Sequence, residues 1–182
     1  MKMELYKGRP TNVEGREDRE IRVYDFLDNL GIEYLRTDHE HADTMEACNE
    51  IDAVLDVLIC KNLFLCNRQK TNFYLLLMPG DKPFKTKELS SQIGSARLSF
   101  ASAEDMEKYL DIRPGAVSVM GLMNDQDNQV QLLVDEDVLK GEYFGCHPCV
   151  NTSSMKLKTE DVFTKYLEAV HHDFVTVKLI GE

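Results

Sequence analysis

The spacing of apolar positions along this chain changes repeatedly, and each change predicts a new secondary-structure element. Val23, Phe26, Leu27 and Leu30 fall on one helix face, and Gly31 follows as a stop signal. Strict alternation predicts strands elsewhere, as in the closing stretch 174–180. The same reasoning predicts helices over 23–30, 44–51, 86–93, 102–109 and 161–170, and strands over 32–37, 57–66, 71–78, 130–134 and 174–180.

Turn residues organise these elements into one unit. The polar run Asn67 to Lys70 joins the strands over 57–66 and 71–78 into a hairpin. Helices and strands interleave throughout, and we find no internal repeat and no linker long enough to divide the chain. The sequence therefore predicts a mixed α/β fold and a single domain over residues 1–182.

Composition and charge narrow the class of protein. The 182 residues are 43% apolar and 29% charged, which suits one soluble domain, and the net charge of −11 opposes nonspecific binding to nucleic acid. The segment 61–97 differs, since it holds seven basic residues and only two acidic ones. A basic segment in an acidic body suits docking to one RNA end, and its alternative is a solvated helix and loop face.

Targeting signals and metal motifs are weak in this sequence. The longest apolar runs are shorter than the roughly 20 residues of a membrane helix, and the N-terminus lacks a signal-peptide core, so we expect a cytoplasmic protein that contacts no membrane. The five cysteines are expected to be reduced thiols. Cys146, His147 and Cys149 could form part of a zinc site, but no matching fourth ligand follows, and we predict neither metal nor other cofactor.

Three stretches are not explained by simple core or turn patterns. Residues 61–65 place Lys61 and Asn62 inside an apolar strand, where a lysine either snorkels at a sheet edge or faces a polar cleft. Glycines bound 115–121, so this loop either approaches a ligand closely or merely connects two elements. In 145–152, His147 precedes a proline and either contacts a ligand or serves the loop. The other histidines are expected on the surface without a chemical role; they are His39, His41, His171 and His172.

These stretches, in this order, resemble the YbaK/ProX superfamily of aminoacyl-tRNA deacylases, and most closely its ProXp-ala (PrdX-type) branch of prolyl-tRNA editing proteins. The likeness extends over nearly the whole chain, and the His-Pro-x-x-Asn element favours the branch that removes alanine over the one that removes cysteine. The residues that carry it are Glu40-His41, Thr44 to Ala47, Lys61 to Leu65, Tyr74-Leu75, Leu98 to Ala101, Pro114-Gly115, Ser118 to Leu122, Asn124, His147-Pro148 and Asn151-Thr152.

The resemblance implies an α+β fold with a mostly antiparallel central sheet, helices packed around it, and a cleft for the 3′ end of tRNA. It also implies that water attacks the aminoacyl ester with help from the substrate's 2′-hydroxyl, without a covalent enzyme intermediate. By the same resemblance, Lys61 is the catalytic residue, and the tRNA(Pro) acceptor end and a prolyl-tRNA synthetase are the partners. The residues it implies for substrate binding are Asn62, Gly115, Ser118, Val119, Met120, Gly121, His147 and Asn151.

The sequence departs from the family pattern at three positions. Val119 stands where the loop usually has proline, Met120 where phenylalanine is common, and Ala42 where a proline usually follows His41. The function expected is hydrolysis of mischarged tRNA, with Ala-tRNA(Pro) first among the substrates. A noncatalytic module that binds tRNA or a synthetase, and a thiol or metal sensor built on Cys146 and Cys149, are the alternatives.

Overall fold

Two β-sheets form the framework of the computed structural model, which describes residues 3–42 and 44–181. The strands are β1 (Leu5–Lys7), β2 (Tyr34–Asp38), β3 (Lys61–Cys66), β4 (Phe73–Met78), β5 (Ser99–Phe100), β6 (Val130–Asp135), β7 (Tyr143–Cys146), β8 (Ser153–Lys158) and β9 (Phe174–Val177). The four-stranded sheet has the order β1-β2-β8-β7, and the five-stranded sheet has the order β5-β3-β4-β6-β9.

Most of the strand pairs are antiparallel, as predicted. Every pair of the four-stranded sheet is antiparallel, and so are β3–β4 and β3–β5. The pairs β4–β6 and β6–β9 are parallel because helical connections return the chain to the same end of the sheet. The expected mostly antiparallel α+β fold is therefore confirmed, with its strands divided between two sheets instead of one.

Helices cover both sheets, and several begin at a side-chain cap. Thr44 accepts a hydrogen bond from the Ala47 amide, and Ser102 accepts one from the Asp105 amide. No helix within the described residues has the length and apolar character needed to cross a bilayer. The helices are α1 (Asp18–Asn29), α2 (Met45–Leu55), α3 (Thr86–Ile93), α4 (Ala103–Leu110), α5 (Glu136–Lys140) and α6, which joins Thr159–Asp161, a π-helical turn Val162–Tyr166 and Leu167–Ala169; a 3₁₀ turn spans Val119–Asn124.

The main core lies between the two sheets. Tyr34 of β2 and Phe144 of β7 belong to the same buried cluster as Phe64 of β3 and Leu75 of β4, and α1 adds Leu27. A second apolar cluster covers the other face of the five-stranded sheet. Alternation along β3 and β4 supplies both clusters, since successive side chains point to opposite faces.

Candidate functional site

One long-range pairing brings two of the unexplained stretches together. Ile59 forms an isolated parallel bridge with Gly145, and the Cys60 amide donates to the Gly145 carbonyl at 3.1 Å. A Cβ at Gly145 would lie 3.0 Å from the Cγ1 atoms of both Ile59 and Val57, so this approach favours glycine. Lys61 lies two residues after Ile59, and His147 lies two residues after Gly145. Because the two segments run parallel, the bridge brings Lys61 and His147 to the same side of the molecule.

Lys61, His147 and Asn151 line one open cavity of about 300 Å³. Its wall combines apolar side chains with a few polar groups, a combination typical of small-ligand sites. The remaining lining residues are Ala42, Cys48, Asn49, Ile51, Asp52, Leu58, Ile59, Cys60, Gly80 and Asp81. Two of the three segments that the sequence singled out thus face a shared cavity.

The Lys61 ammonium is held by a backbone carbonyl. Its Nζ donates to the Lys82 carbonyl oxygen at 2.7 Å, the one protein acceptor found for it among the described residues. An ammonium carries three N–H donors, so two remain for a ligand. The lysine therefore stands at the cavity wall as an oriented, incompletely used donor.

The Lys82 side chain fixes the carbonyl that orients Lys61. Its Nζ contacts Asp135 Oδ2 at 2.6 Å, Asp137 Oδ2 at 2.8 Å and the Leu179 carbonyl oxygen at 2.6 Å. Burial by itself would lower the pKa of Lys82, but the two carboxylates outweigh it and raise that pKa. Sequence reasoning missed this role, because Lys82 acts on Lys61 through a main-chain oxygen.

His147 has a defined tautomer. Its Nδ1 lies 2.9 Å from the Ser153 carbonyl oxygen, which can only accept, so Nδ1 carries the proton and Nε2 is left as an acceptor. Burial lowers the pKa of His147, and the nearby His39 and His41 lower it further. The ring is therefore neutral at pH 7.

Asn151 brings the glycine-bounded loop to the same place. Its Nδ2 lies 3.4 Å from both the Ala42 carbonyl oxygen and His41 Nε2. A Cβ at Gly115, where φ is +92°, would lie 3.4 Å from that same Nδ2, so the loop begins against Asn151. Asn151 is 7% exposed, and its Oδ1 is buried without a hydrogen-bond partner in the described part of the chain. A buried acceptor without a protein donor is rare in folded proteins and needs a partner from water, an ion or a ligand.

The rest of that loop is packed into the core. Ser118 caps the 3₁₀ turn by accepting from the Met120 amide at 3.1 Å. The Tyr166 hydroxyl lies 3.0 Å from the Val119 carbonyl oxygen and 2.8 Å from that of Met120. The side chains of Ser118, Val119 and Met120 are fully buried, and Gly121 is buried too, so none of the four lines the cavity. Their predicted contact with a ligand stays a prediction.

Asn62 occupies a different position from Lys61. Successive residues of a strand face opposite sides of the sheet, and Asn62 is not among the residues that line the cavity. Its Nδ2 donates to the Cys60 carbonyl oxygen at 2.9 Å, and its Oδ1 is buried without a partner within residues 3–42 and 44–181. Its assignment to the same pocket also stays a prediction.

The cysteines near the cavity have little thiolate character. Burial raises the pKa of Cys60 to about 12 and that of Cys149 to about 12, and it raises the pKa of Cys146 still further. Among the described residues, no group of three or more His, Cys, Asp or Glu side chains is arranged to hold a metal ion.

The histidines that the sequence assigned to the surface fall into different environments. His171 and His41 are exposed, but the His41 ring contacts Asn151 at the cavity. His39 is half-buried, and its ring centroid lies 6.3 Å from that of His147. The expectation is wrong for His172, which is buried because Asp125 and the Val170 carbonyl oxygen satisfy its two ring nitrogens.

Comparisons with known proteins agree with one another. A sequence model described as an aminoacyl-tRNA editing domain matches residues 39–165. The prolyl-tRNA editing protein ProX of Acetoanaerobium sticklandii is 33% identical over 153 residues, which cover 84% of this chain and 93% of that protein. Prolyl-tRNA synthetase associated domain-containing protein 1 of Danio rerio is 28% identical over 157 residues, or 85% of this chain and 84% of that protein.

The fold is also found among solved structures. A crystal structure described provisionally as a trans-editing enzyme for prolyl tRNA synthetase superposes with a TM-score of 0.64 over 90% of this chain and 98% of that chain. Its sequence identity is 14%, so it supports the fold alone.

Proposed function

Because the chain belongs to the aminoacyl-tRNA editing domain family, we propose that it hydrolyses the ester of mischarged tRNA, with Ala-tRNA(Pro) as its main substrate. The observation that carries the proposal is the meeting of Lys61, His147 and Asn151 at one cavity of about 300 Å³, with Gly115 against Asn151. The names of the similar proteins support tRNA(Pro) as the tRNA and a prolyl-tRNA synthetase as a further partner.

The reaction we propose needs positioning more than a protein nucleophile. An aminoacyl ester is already activated, so donors placed around its carbonyl and a well-oriented water supply most of the rate enhancement. Lys61 directs its unused N–H groups at the ester or the terminal nucleotide, and neutral His147 offers Nε2 as an acceptor. The substrate's 2′-hydroxyl assists the attacking water. This mechanism needs no protein nucleophile, and it agrees with the Cys60 thiol at the cavity wall, which stays protonated.

We propose alanine as the amino acid removed because it is smaller than proline. A pocket built for proline gains only modest discrimination against a side chain that lacks a few methylenes. A second, smaller pocket corrects the error, because it admits alanine and excludes proline by size. We propose that the apolar wall formed by Ile51, Leu58 and Ile59 provides this exclusion.

A deacylation assay tests the proposal directly. Purified protein is mixed with tRNA(Pro) charged in turn with alanine, serine, cysteine and proline, and release of the amino acid is followed over buffer. We expect the fastest release from Ala-tRNA(Pro) and none from Pro-tRNA(Pro). Tight binding of these tRNAs without release of any amino acid would instead identify a noncatalytic tRNA-binding module.

The role of Lys61 is tested by Lys61→Ala, with Lys178→Ala as the matched control because the Lys178 side chain is 77% exposed and does not line the cavity. Loss of a charged donor at the reacting ester should reduce kcat/KM by about 100-fold or more, the scale measured for single oxyanion donors. The control should keep full activity. Equal turnover by the Lys61 variant and the wild type would refute the assignment.

A further inference from the structure

Two phenylalanines, Phe84 and Phe100, lie against each other near the segment that holds Lys61. Phe100, on the short strand β5, is 63% exposed, the second most exposed large apolar side chain of the described residues. Its ring meets that of Phe84 edge-on, with centroids 6.1 Å apart. Phe84 is partly buried and packs against the second apolar cluster, so it supports the exposed Phe100 ring, which offers a flat apolar face for a planar ligand.

Two connections along the chain relate the pair to Lys61 at the cavity wall. Phe100 pairs with Leu65 on β3, and strand alternation puts Leu65 on the same face as Lys61. Phe84 follows Lys82, whose carbonyl holds the Lys61 ammonium, by two residues. Two residues of chain span at most about 7 Å, so Phe84 lies within one nucleotide's reach of that carbonyl.

The charge around the pair has the sign that a phosphodiester requires. Lys85 directly follows Phe84, Lys87 lies three residues after it, and Arg97 lies two residues before β5; all three residues are exposed. They belong to the segment 61–97, whose seven basic and two acidic residues contrast with the chain's net charge of −11. An apolar protein partner would need no such local reversal of charge, whereas the phosphates of RNA would be attracted to it.

We propose that Phe84 and Phe100 form a stacking platform for the unpaired nucleotide that precedes the terminal adenosine of the bound tRNA. The base stacks on the exposed face of Phe100, and Lys85, Lys87 and Arg97 attract the phosphates on either side of it. The inference rests on the proposed function, since the terminal adenosine must occupy the cavity for the preceding nucleotide to reach the platform.

The test compares two substrates and three variants. The substrates are Ala-tRNA(Pro) and alanyl-adenosine, which has the ester and the terminal nucleoside but no preceding nucleotide. The variants are Phe100→Ala, Phe100→Trp and a matched control, Tyr143→Ala, which removes an aromatic ring that is 42% exposed and lies near Lys156 on the other sheet.

We expect Phe100→Ala to raise the KM for Ala-tRNA(Pro) about 10-fold with little change in kcat, because stacking contributes to binding and not to the reacting carbonyl. Hydrolysis of alanyl-adenosine should be unchanged. Phe100→Trp keeps an aromatic ring and should therefore have the wild-type KM. Tyr143→Ala should match the wild type on both substrates. An unchanged KM in Phe100→Ala, an equal loss on both substrates, or the same loss in Tyr143→Ala would each overturn the proposal.

A binding measurement separates this proposal from the proposed function. Fluorescence anisotropy with a short single-stranded RNA ending in CCA reports the platform without any chemistry. If the wild type hydrolyses neither ester, the editing function fails, and weaker RNA binding by Phe100→Ala than by Tyr143→Ala still supports the platform. Equal RNA binding by those two variants overturns it.

Discussion

At the scale of single residues, the cavity is defined by polar atoms whose hydrogen bonds are incomplete. Lys61 uses one donor on the Lys82 carbonyl, and Asn151 Oδ1 is buried without a donor among the described residues. Folded proteins rarely leave buried polar atoms unsatisfied, and the cost of doing so is about 1–3 kcal/mol. We predict that, in the proposed editing reaction, the unsatisfied Asn151 oxygen accepts from a strong donor of the substrate, such as the α-ammonium of an aminoacyl ester.

Asn151→Leu tests that pairing. If Oδ1 accepts from the α-ammonium, the variant should lose roughly 10- to 100-fold in kcat/KM for Ala-tRNA(Pro), because about 1.4 kcal/mol corresponds to each factor of ten. Thermal unfolding should change little, since the substitution removes an unsatisfied buried acceptor but also the two 3.4 Å contacts of Nδ2 with His41 and the Ala42 carbonyl oxygen. Asn151→Asp, which keeps an acceptor, should retain more activity than Asn151→Leu.

N-acetyl-alanyl-tRNA(Pro) provides the internal control, because acetylation removes the positive charge of the substrate amine. The wild type should prefer the free amine, and Asn151→Leu should lose that preference. A variant that still discriminates between the two esters would exclude Asn151 from amine recognition.

At the scale of secondary-structure elements, the sequence predicted the helices and strands whose apolar pattern is local. Strand β4 lies within two residues of its predicted bounds, and helix α1 ends within one residue of its predicted end but begins five residues earlier, at Asp18, because its first turns are polar. The strand predicted over 57–66 begins only at Lys61, since residues before it cross to the other sheet through the Ile59–Gly145 bridge. The predicted helix 44–51 continues to Leu55.

Strand β8 shows why other elements could not be predicted. Its sequence, Ser153–Lys158, begins with two serines that are fully buried because the Ser153 hydroxyl donates to Asp38 and the Ser154 hydroxyl pairs with His39. These partners lie about 115 residues away in sequence, so no window of neighbouring residues carries the signal. The role of Lys82 could not be predicted for the same reason, because its partners are also distant in sequence. Lys61 could be predicted because a charged residue inside an apolar strand is a local signal.

Tyr166 links helix α6 to the buried 3₁₀ turn, and its hydroxyl can be tested by mutation. It ends the π-helical turn of α6, and its hydroxyl contacts the Val119 and Met120 carbonyl oxygens of the buried 3₁₀ turn. Tyr166→Phe should lower the free energy of unfolding by about 1–2 kcal/mol, because the two buried carbonyl oxygens lose the single O–H donor that they share. Since the turn supports the loop that starts at Gly115, kcat/KM should fall several-fold as well.

Urea denaturation and the deacylation assay measure these two effects. Tyr109→Phe on α4 is the control and should change neither quantity. A Tyr166 variant that is destabilised but fully active would mean that the 3₁₀ turn serves the core and not the cavity.

At the scale of the whole molecule, buried polar pairs tie distant segments together around the apolar core. Asp125, after the 3₁₀ turn, lies 2.9 Å from His172 Nε2, next to β9, and it also accepts from the amides of Gln129 and Val130. Burial alone would raise the pKa of Asp125, but these hydrogen bonds outweigh it and lower that pKa. The folded protein therefore binds this proton less readily than the unfolded chain does.

The sign of the pH effect follows from that lowered pKa. The ionised Asp125 contributes stability above the ordinary aspartate pKa of about 4, and the contribution is lost as the pH falls through that value toward the folded pKa. Asp125→Asn should cost about 2–3 kcal/mol at pH 7, because it leaves buried donors without their carboxylate. The difference in free energy of unfolding between variant and wild type should narrow steadily below pH 4.

Urea unfolding at pH 7 and pH 3.5 measures this difference at each pH, with Asp127→Asn, at an exposed position in the same loop, as the control. A gap that stays constant across this range would show that the Asp125 carboxylate contributes through its shape and not through its charge.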